Sequence, residues 1–165
     1  MNNSLAPLFG ANIDPSAADP SEPFRRAEIA EQNGLHLITI QDHPYNMRFF
    51  DTWTLLAALA MKTERVHFGT NVASTPLRPP AMLAKMAATL DVLSGGRLEL
   101  GIGAGAYWPG IQALGVEKRS PGEAVIAFED VLHILRGMWE GAGGSFTYRG
   151  EFYQVQGARP GPAPA

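Results

Sequence analysis

The sequence predicts an α/β fold built on a parallel sheet. Three observations carry this: apolar strand-like runs alternate with amphipathic helical stretches, the helical stretches stop at glycine, and the strands run into polar or glycine-rich turns. That alternation is the pattern of βα units joined by right-handed crossovers. With 165 residues, 45% hydrophobic and 18% charged, the chain has enough apolar side chains for one domain with its own core.

Taken in order, residues 6–13 predict a first strand, followed by a loop rich in Pro, Ala and Asp. Ser21 is placed to cap a helix running to Asn33, with Gly34 as its stop. Leu35 to Ile40 is an almost unbroken apolar run, which predicts a parallel strand buried on both faces and ending in Gln41-Asp42-His43. Asp51 caps a second helix whose Leu55, Leu56, Leu59 and Ala60 recur at helical spacing. Val66 to Val72 predict the third strand.

Pro79 and Pro80 suit the start of a third helix, with Met82, Leu83, Met86, Ala87, Leu90 and Leu93 as its apolar stripe and Gly95-Gly96 as its end. Arg97 to Ile102 predict the fourth strand, running into Gly101, Gly103 and Gly105. Ser120-Pro121-Gly122-Glu123 is a capping box, and Ala124, Phe128, Val131, Leu132, Leu135, Met138 and Trp139 form the clearest amphipathic helix behind it. Beyond Gly141 the character changes. Ser145 to Val155 alternate aromatic and polar residues around Arg149-Gly150 and predict a hairpin. The final nine residues, GARPGPAPA, read as a linker. The expectation is one domain over residues 1–165, with hairpin and Pro/Gly-rich tail at 142–165.

Composition excludes several functions. A net charge of −3 and the lack of any Lys/Arg run argue against nucleic-acid or anionic-membrane partners. Without cysteine there are no disulfides, no thiolate catalysis and no Cys-ligated zinc or iron–sulfur centre. The four histidines show no ligand spacing, so no metal site is expected. The N-terminus has no basic n-region, and no apolar run approaches the ~20 residues of a membrane span. A soluble cytoplasmic protein is the expectation.

Two constellations bear on chemistry. Gly101-Ile102-Gly103-Ala104-Gly105 after a strand fits a nucleotide-binding turn, and Leu98 to Gly105 also resembles the first motif of S-adenosylmethionine-dependent methyltransferases. Either fold needs a second strand soon afterwards, ending in an acidic residue ~20 residues on. Here an irregular stretch and a long helix follow, which favours a strand-to-loop turn beside a ligand held elsewhere. Asp42-His43 stands at the carboxyl end of the second strand, where sites form in parallel α/β folds. Histidine there can exchange a proton near neutral pH, and a carboxylate can fix its tautomer or bind a ligand; the other reading is an exposed turn histidine. Thr70 to Ser74 end the third strand at the same mouth, and their small polar groups can hydrogen-bond a flat heterocycle or simply make a turn. His36 and His67, near strand starts, and His133, inside a helix, read as structural or solvated. Strand parity turns Glu99 away from Leu98, Leu100 and Ile102, toward a partner the sequence does not name.

Taken together, Ile40-Gln41-Asp42-His43, Phe68-Gly69-Thr70-Asn71-Val72 and Gly95 to Gly105 resemble the bacterial-luciferase-like family, from about residue 8 to the end. The family comprises flavin-dependent monooxygenases and oxidoreductases that use coenzyme F420. The resemblance implies a TIM barrel with its site at the carboxyl ends of the strands. It implies FMN or F420 as cofactor and a small organic molecule as substrate. By the same resemblance His43 matches a catalytic histidine beside the reactive face of the cofactor, and Asp42 a neighbouring cofactor-contacting carboxylate. Asn71-Val72 matches a bulge, often with a non-proline cis peptide, that buttresses the ring. Ser74 matches a hydroxyl near the ring, and Gly103, Ala104, Gly105 and Ala106 match the loop along the cofactor. Some F420-dependent members carry Glu and Asn where this chain has Ala106 and Pro109, so the acid role of the sugar-phosphate dehydrogenases is not carried over.

A TIM barrel needs about 250 residues, and the sequence holds four strand–helix units. The resemblance therefore implies the N-terminal half of a barrel, with the residues that hold the cofactor phosphate on later strands. The expected completion is a C-terminal half or a second chain, and the isolated half is expected to be inactive. A non-catalytic half-barrel subunit or interaction module is the other reading, ahead of a methyltransferase-like nucleotide binder.

Overall fold

Four parallel strands lie side by side in the computed structural model, which describes residues 7–140 and 144–165. In chain order the elements are β1 (Gly10–Ile13), α1 (Glu22–Gln32), β2 (Leu37–Ile40), α2 (Thr52–Ala60), β3 (His67–Thr70), β4 (Ala73–Ser74), α3 (Pro80–Ser94), β5 (Leu98–Glu99), β6 (Ile102–Gly103), α4 (Trp108–Ala113), α5 (Pro121–Glu140), β7 (Phe146–Arg149) and β8 (Gln154–Ala158). The main sheet runs β1-β2-β3-β5, all parallel, and β4 pairs with β6 just beyond it. Spatial order thus follows chain order. A doubly wound nucleotide-binding sheet reverses direction at a switch point; its absence among the described strands rules out the methyltransferase-like arrangement.

The alternation of side chains explains which face is covered. Ile13, Ile38, Ile40 and Phe68 are buried against the helices, where Leu56, Leu59, Leu83 and Ile134 meet them. Each such side chain contributes about 1.5–3 kcal/mol by leaving water. The opposite face carries Asn12, Leu37, Thr39, His67 and Glu99, none of them fully buried. The second strand is therefore buried on one face only, contrary to the expectation from its apolar run, because nothing among the described residues covers the inner face. That face is held by polar pairs: Thr39 Oγ1 donates to Asn12 Oδ1 at 3.1 Å, and His67 Nδ1 lies 3.1 Å from Glu99 Oε1. His67 is the side chain that Glu99 meets, although the carboxylate remains largely exposed.

Several boundaries move for local reasons. The first strand begins at Gly10; of the expected start, Ala6 lies outside the described residues. The second begins at Leu37, because the Leu35 N–H still donates to Ala30 O at the end of α1. The third and fourth strands are each interrupted. The Asn71–Val72 peptide is cis, and around it the Gly101 carbonyl accepts both from Thr70 Oγ1 (2.5 Å) and from Ala73 N–H (2.8 Å). That bulge separates the β3–β5 ladder from the β4–β6 ladder.

Ser21 does not cap α1 with its side chain; its N–H and hydroxyl both donate to Asp19 Oδ1. Asp51 does cap α2, accepting from Thr54 N–H at 2.8 Å. The Ser120–Glu123 box forms reciprocally. In α3 the expected stripe is partly wrong: Leu83, Ala87 and Leu90 are buried, but Met82 and Leu93 lie on the solvent side. The stretch after β6 contains α4, a six-residue helix that the irregular sequence concealed.

The hairpin is present as β7 and β8, antiparallel, and it is docked rather than appended. Asp130 of α5 accepts from Tyr148 OH (2.8 Å), Phe152 N–H (2.8 Å) and Tyr153 N–H (3.1 Å). The segment after β8 has no regular structure, yet it returns to α3: Ala165 N–H donates to Asp91 Oδ2 at 2.8 Å and Lys85 Nζ donates to Gly161 O. It is a bound strap, not a free linker. Residues 142 and 143 of the expected 142–165 unit, and Gly141 before it, lie outside the described residues.

Candidate active site

At the carboxyl ends of the strands, a cavity of about 260 Å³ is lined by Asp42, His43, Tyr45, Asn71, Val72, Ala73, Ser74 and Gly103 to Ala106. Every residue singled out from the sequence as catalytic or cofactor-binding faces this one space. They arrive from three directions: the turn after β2, the β3–β4 bulge, and the loop that leaves β6. Such convergence is a consequence of parallel strands in chain order, which bring successive carboxyl ends to one edge.

Asp42 is 1% exposed, and both of its oxygens are engaged. Oδ2 accepts from Ser74 N–H at 2.9 Å and from Arg78 Nη1, and Oδ1 accepts from Arg78 Nη2 at 2.9 Å. His43 beside it is exposed to the cavity and 5.4 Å, ring to ring, from Tyr45. Tyr45 in turn meets Tyr107 at 5.3 Å. Burial, the Asp42 charge and Tyr107 push the Tyr45 phenol above its ordinary range, so it stays neutral and protonated at physiological pH. Gly110 makes room for this aromatic pair, since a Cβ there would meet Tyr45 Cγ at 2.6 Å.

Two features fit a flat, polar-edged ring. Val72 is half-exposed and offers an apolar platform, against which Gly103 lies so closely that a Cβ would meet Val72 Cγ2 at 2.8 Å. The Ser74 hydroxyl is buried and has no hydrogen-bond partner among the described residues, a costly state unless a further group satisfies it. The cavity falls just below the ~300–1,000 Å³ of complete small-molecule sites, as one wall of a larger pocket would.

Arg78 and Tyr45 carry no mark in the sequence that sets them apart. The signal for Arg78 is indirect: a buried carboxylate demands a cation, but its choice among 13 Lys and Arg is a tertiary fact. The remaining histidines stand apart from the cavity. His36 and His67 line a different hollow, about 500 Å³, at the amino ends of the strands with Glu31, Arg65 and Glu99. His133 stacks on Tyr148 at 5.6 Å. Among the described residues no group of His, Asp and Glu is placed to hold a metal, and no helix is long and apolar enough to cross a membrane.

Comparison with known proteins places the chain in a family and matches its fold. The chain is 30% identical over 148 residues to the oxygenase component of the flavin-dependent trigonelline monooxygenase of Acinetobacter baylyi, covering 87% of this chain and 39% of that one. It is 30% identical over 152 residues to the F420-dependent glucose-6-phosphate dehydrogenase of Gordonia bronchialis, covering 85% and 43%. Among solved structures, an F420-dependent secondary alcohol dehydrogenase superposes with a TM-score of 0.85 at 23% identity, covering 95% of this chain and 49% of that one. The oxygenating constituent of a Pseudomonas putida 3,6-diketocamphane monooxygenase, solved with FMN, gives 0.76 at 23% identity, covering 94% and 44%. The chain thus spans about two fifths of these curated relatives and about half of these structures. The family profile of luciferase-like monooxygenases matches residues 4–165, nearly the whole chain, and the chain belongs to that family.

Proposed function

We propose that this chain supplies the first half of a flavin- or F420-dependent oxidoreductase site, with FMN as the flavin, acting on a small organic molecule. The single observation that carries the reading is the convergence of His43, the Asn71–Val72 bulge, the unpartnered Ser74 hydroxyl and the Gly103–Ala106 loop on one cavity. The bound cofactor supplies the hydride or oxygen chemistry.

The chain's own residues bind, orient and manage protons. Val72 and the Gly103–Ala106 backbone would form the surface that holds the ring. Ser74 Oγ, unpartnered among the described residues, would supply a donor or acceptor for a polar atom of the bound ring. His43, solvent-accessible at the strand end, holds or releases a proton at its imidazole. Asp42 is engaged on both oxygens, so its contribution to the pocket wall is through Ser74 and its charge. The neutral Tyr45 phenol backs the His43 ring.

The phosphate-bearing tail of the cofactor then rests on residues outside these four βα units, on a complementing C-terminal half or on a second copy. Titration tests this. Flavin fluorescence and F420 absorbance are expected to report weak or undetectable binding to the chain alone and restored binding with a complementing C-terminal half. Submicromolar affinity of the chain alone would overturn the half-site reading. Absence of binding in the complemented protein would favour a non-catalytic half barrel.

A further inference from the structure

We infer that Arg78 is a positioning residue, which fixes the ligand-facing wall by holding Asp42 in its grip on Ser74; the functional meaning of that wall rests on the reading above. Arg78 does not line the cavity. It follows the short 3-10 turn at Thr75–Leu77, and its side chain is 12% exposed. From there it reaches three side chains at once, one on the turn after β2 and two at the start of α2. Nη1 and Nη2 make a forked pair with the Asp42 carboxylate, Nη2 lies 3.5 Å from Asp51 Oδ2 at the cap of α2, and the guanidinium sits 5.8 Å from the Trp53 ring centre.

The consequence for the wall is direct. Asp42 is next to His43 in the chain, and its Oδ2 is the acceptor of the Ser74 N–H. One carboxylate therefore ties the histidine-bearing turn to the segment that presents the Ser74 hydroxyl. A carboxylate so deeply buried is stable only with a matched cation. Arginine is suited to this, because its planar fork meets both oxygens at once and leaves no freedom of rotation. Lysine would balance the charge but fix the carboxylate less well. The charge facing Asp42 is Arg78, which Asp51 at the cap of α2 approaches from its other side; His43 and Tyr45 flank Asp42 from its own turn. Arg78 is the cation bonded to it.

Amide hydrogen exchange of the chain tests this without any cofactor. In Arg78→Met, exchange at Ser74 is expected to accelerate by about tenfold or more relative to the Ile38 and Phe68 amides, the scale of a hydrogen bond to a charged acceptor. In Arg78→Lys the Ser74 rate should stay within about threefold of the parent, since the charge is retained. Equal acceleration at Ser74, Ile38 and Phe68 in Arg78→Met would show a merely structural ion pair and overturn the inference. If Arg78→Met does not fold, the neutral pair Asp42→Asn/Arg78→Met decides. The side-chain amide oxygen that Asp42→Asn introduces can still accept from the Ser74 N–H but lacks the arginine fork, so exchange at Ser74 should still exceed the parent's relative to Ile38 and Phe68, and parent-like protection in the folded variant would overturn the inference. FMN titration of the complemented parent reads the functional proposal separately. A loosened Ser74 with no FMN binding in the parent supports the latch and defeats the function; FMN binding with an unmoved Ser74 does the reverse.

Discussion

The Ser74 N–H donates to Asp42 Oδ2 at 2.9 Å, joining the strand end that carries His43 to the one that carries the bulge. Backbone and carboxylate are both satisfied there, whereas the hydroxyl of the same serine has no partner among the described residues. One residue thus anchors the wall through its main chain while its buried hydroxyl stays unpartnered among the described residues.

Replacing Ser74 with alanine should separate those two roles. The melting temperature of the chain is expected to be unchanged or slightly raised, because deleting an unsatisfied buried hydroxyl removes a desolvation cost. Cofactor affinity of the complemented protein should fall by about 0.5–1.5 kcal/mol, the net value of one hydrogen bond. Calorimetric melting and flavin titration check both.

His43→Ala should lower turnover of the complemented enzyme by ~10²–10⁴-fold, the usual contribution of a general acid or base. Affinity for the cofactor should be nearly intact, since on the proposed reading Val72 and the Gly103–Ala106 loop would hold the ring. Unchanged turnover would make His43 a turn histidine. His67→Ala, at the opposite end of the sheet, should leave turnover alone and cost at most about 1 kcal/mol of stability, because its Glu99 partner is exposed.

Gly103→Ala probes the bulge. The new Cβ would sit 2.8 Å from Val72 Cγ2, so either the loop or Val72 must shift. A destabilisation of about 1–3 kcal/mol is expected, with weakened flavin binding in the complemented protein. Denaturant unfolding and titration report the two effects independently.

The hairpin should be acid-labile. Burial pushes the Asp130 carboxyl up, but the N–H groups of Phe152 and Tyr153 and the Tyr148 hydroxyl outweigh it, so its pKa is held below the ordinary value. A depressed folded pKa means stabilisation that is fully present above the unfolded value of about 3.9 and lost as pH falls through the folded value. Tyr148 fluorescence or amide exchange at Phe152 and Tyr153 should therefore show the hairpin loosening only below about pH 4. Asp130→Ala should leave three donors unpaired and destabilise the chain by several kcal/mol at neutral pH, at about 1–3 kcal/mol each. Equal stability of this variant and the parent at pH 7 would contradict the assignment.

What the sequence determined by itself is local and periodic. Alternation of apolar runs with amphipathic helices set the parallel βα order, and Asp51, Ser120 and Gly95 marked their helix ends because capping depends on neighbours within a turn. Asp42-His43, Asn71-Val72 and the Gly103 loop were legible because each ends a strand, and parallel strands in chain order gather their ends. Tertiary structure alone decided what those residues touch. Arg78 stands 36 positions from Asp42, Glu99 meets His67 on the neighbouring strand, and Asp130 receives donors from a hairpin whose docking partner the sequence did not name. It also decided that Met82 and Leu93 face solvent and that β2 is covered on one side. Periodicity states that a side chain is apolar and which neighbours share its stripe; which stripe is buried depends on what the rest of the chain brings against it.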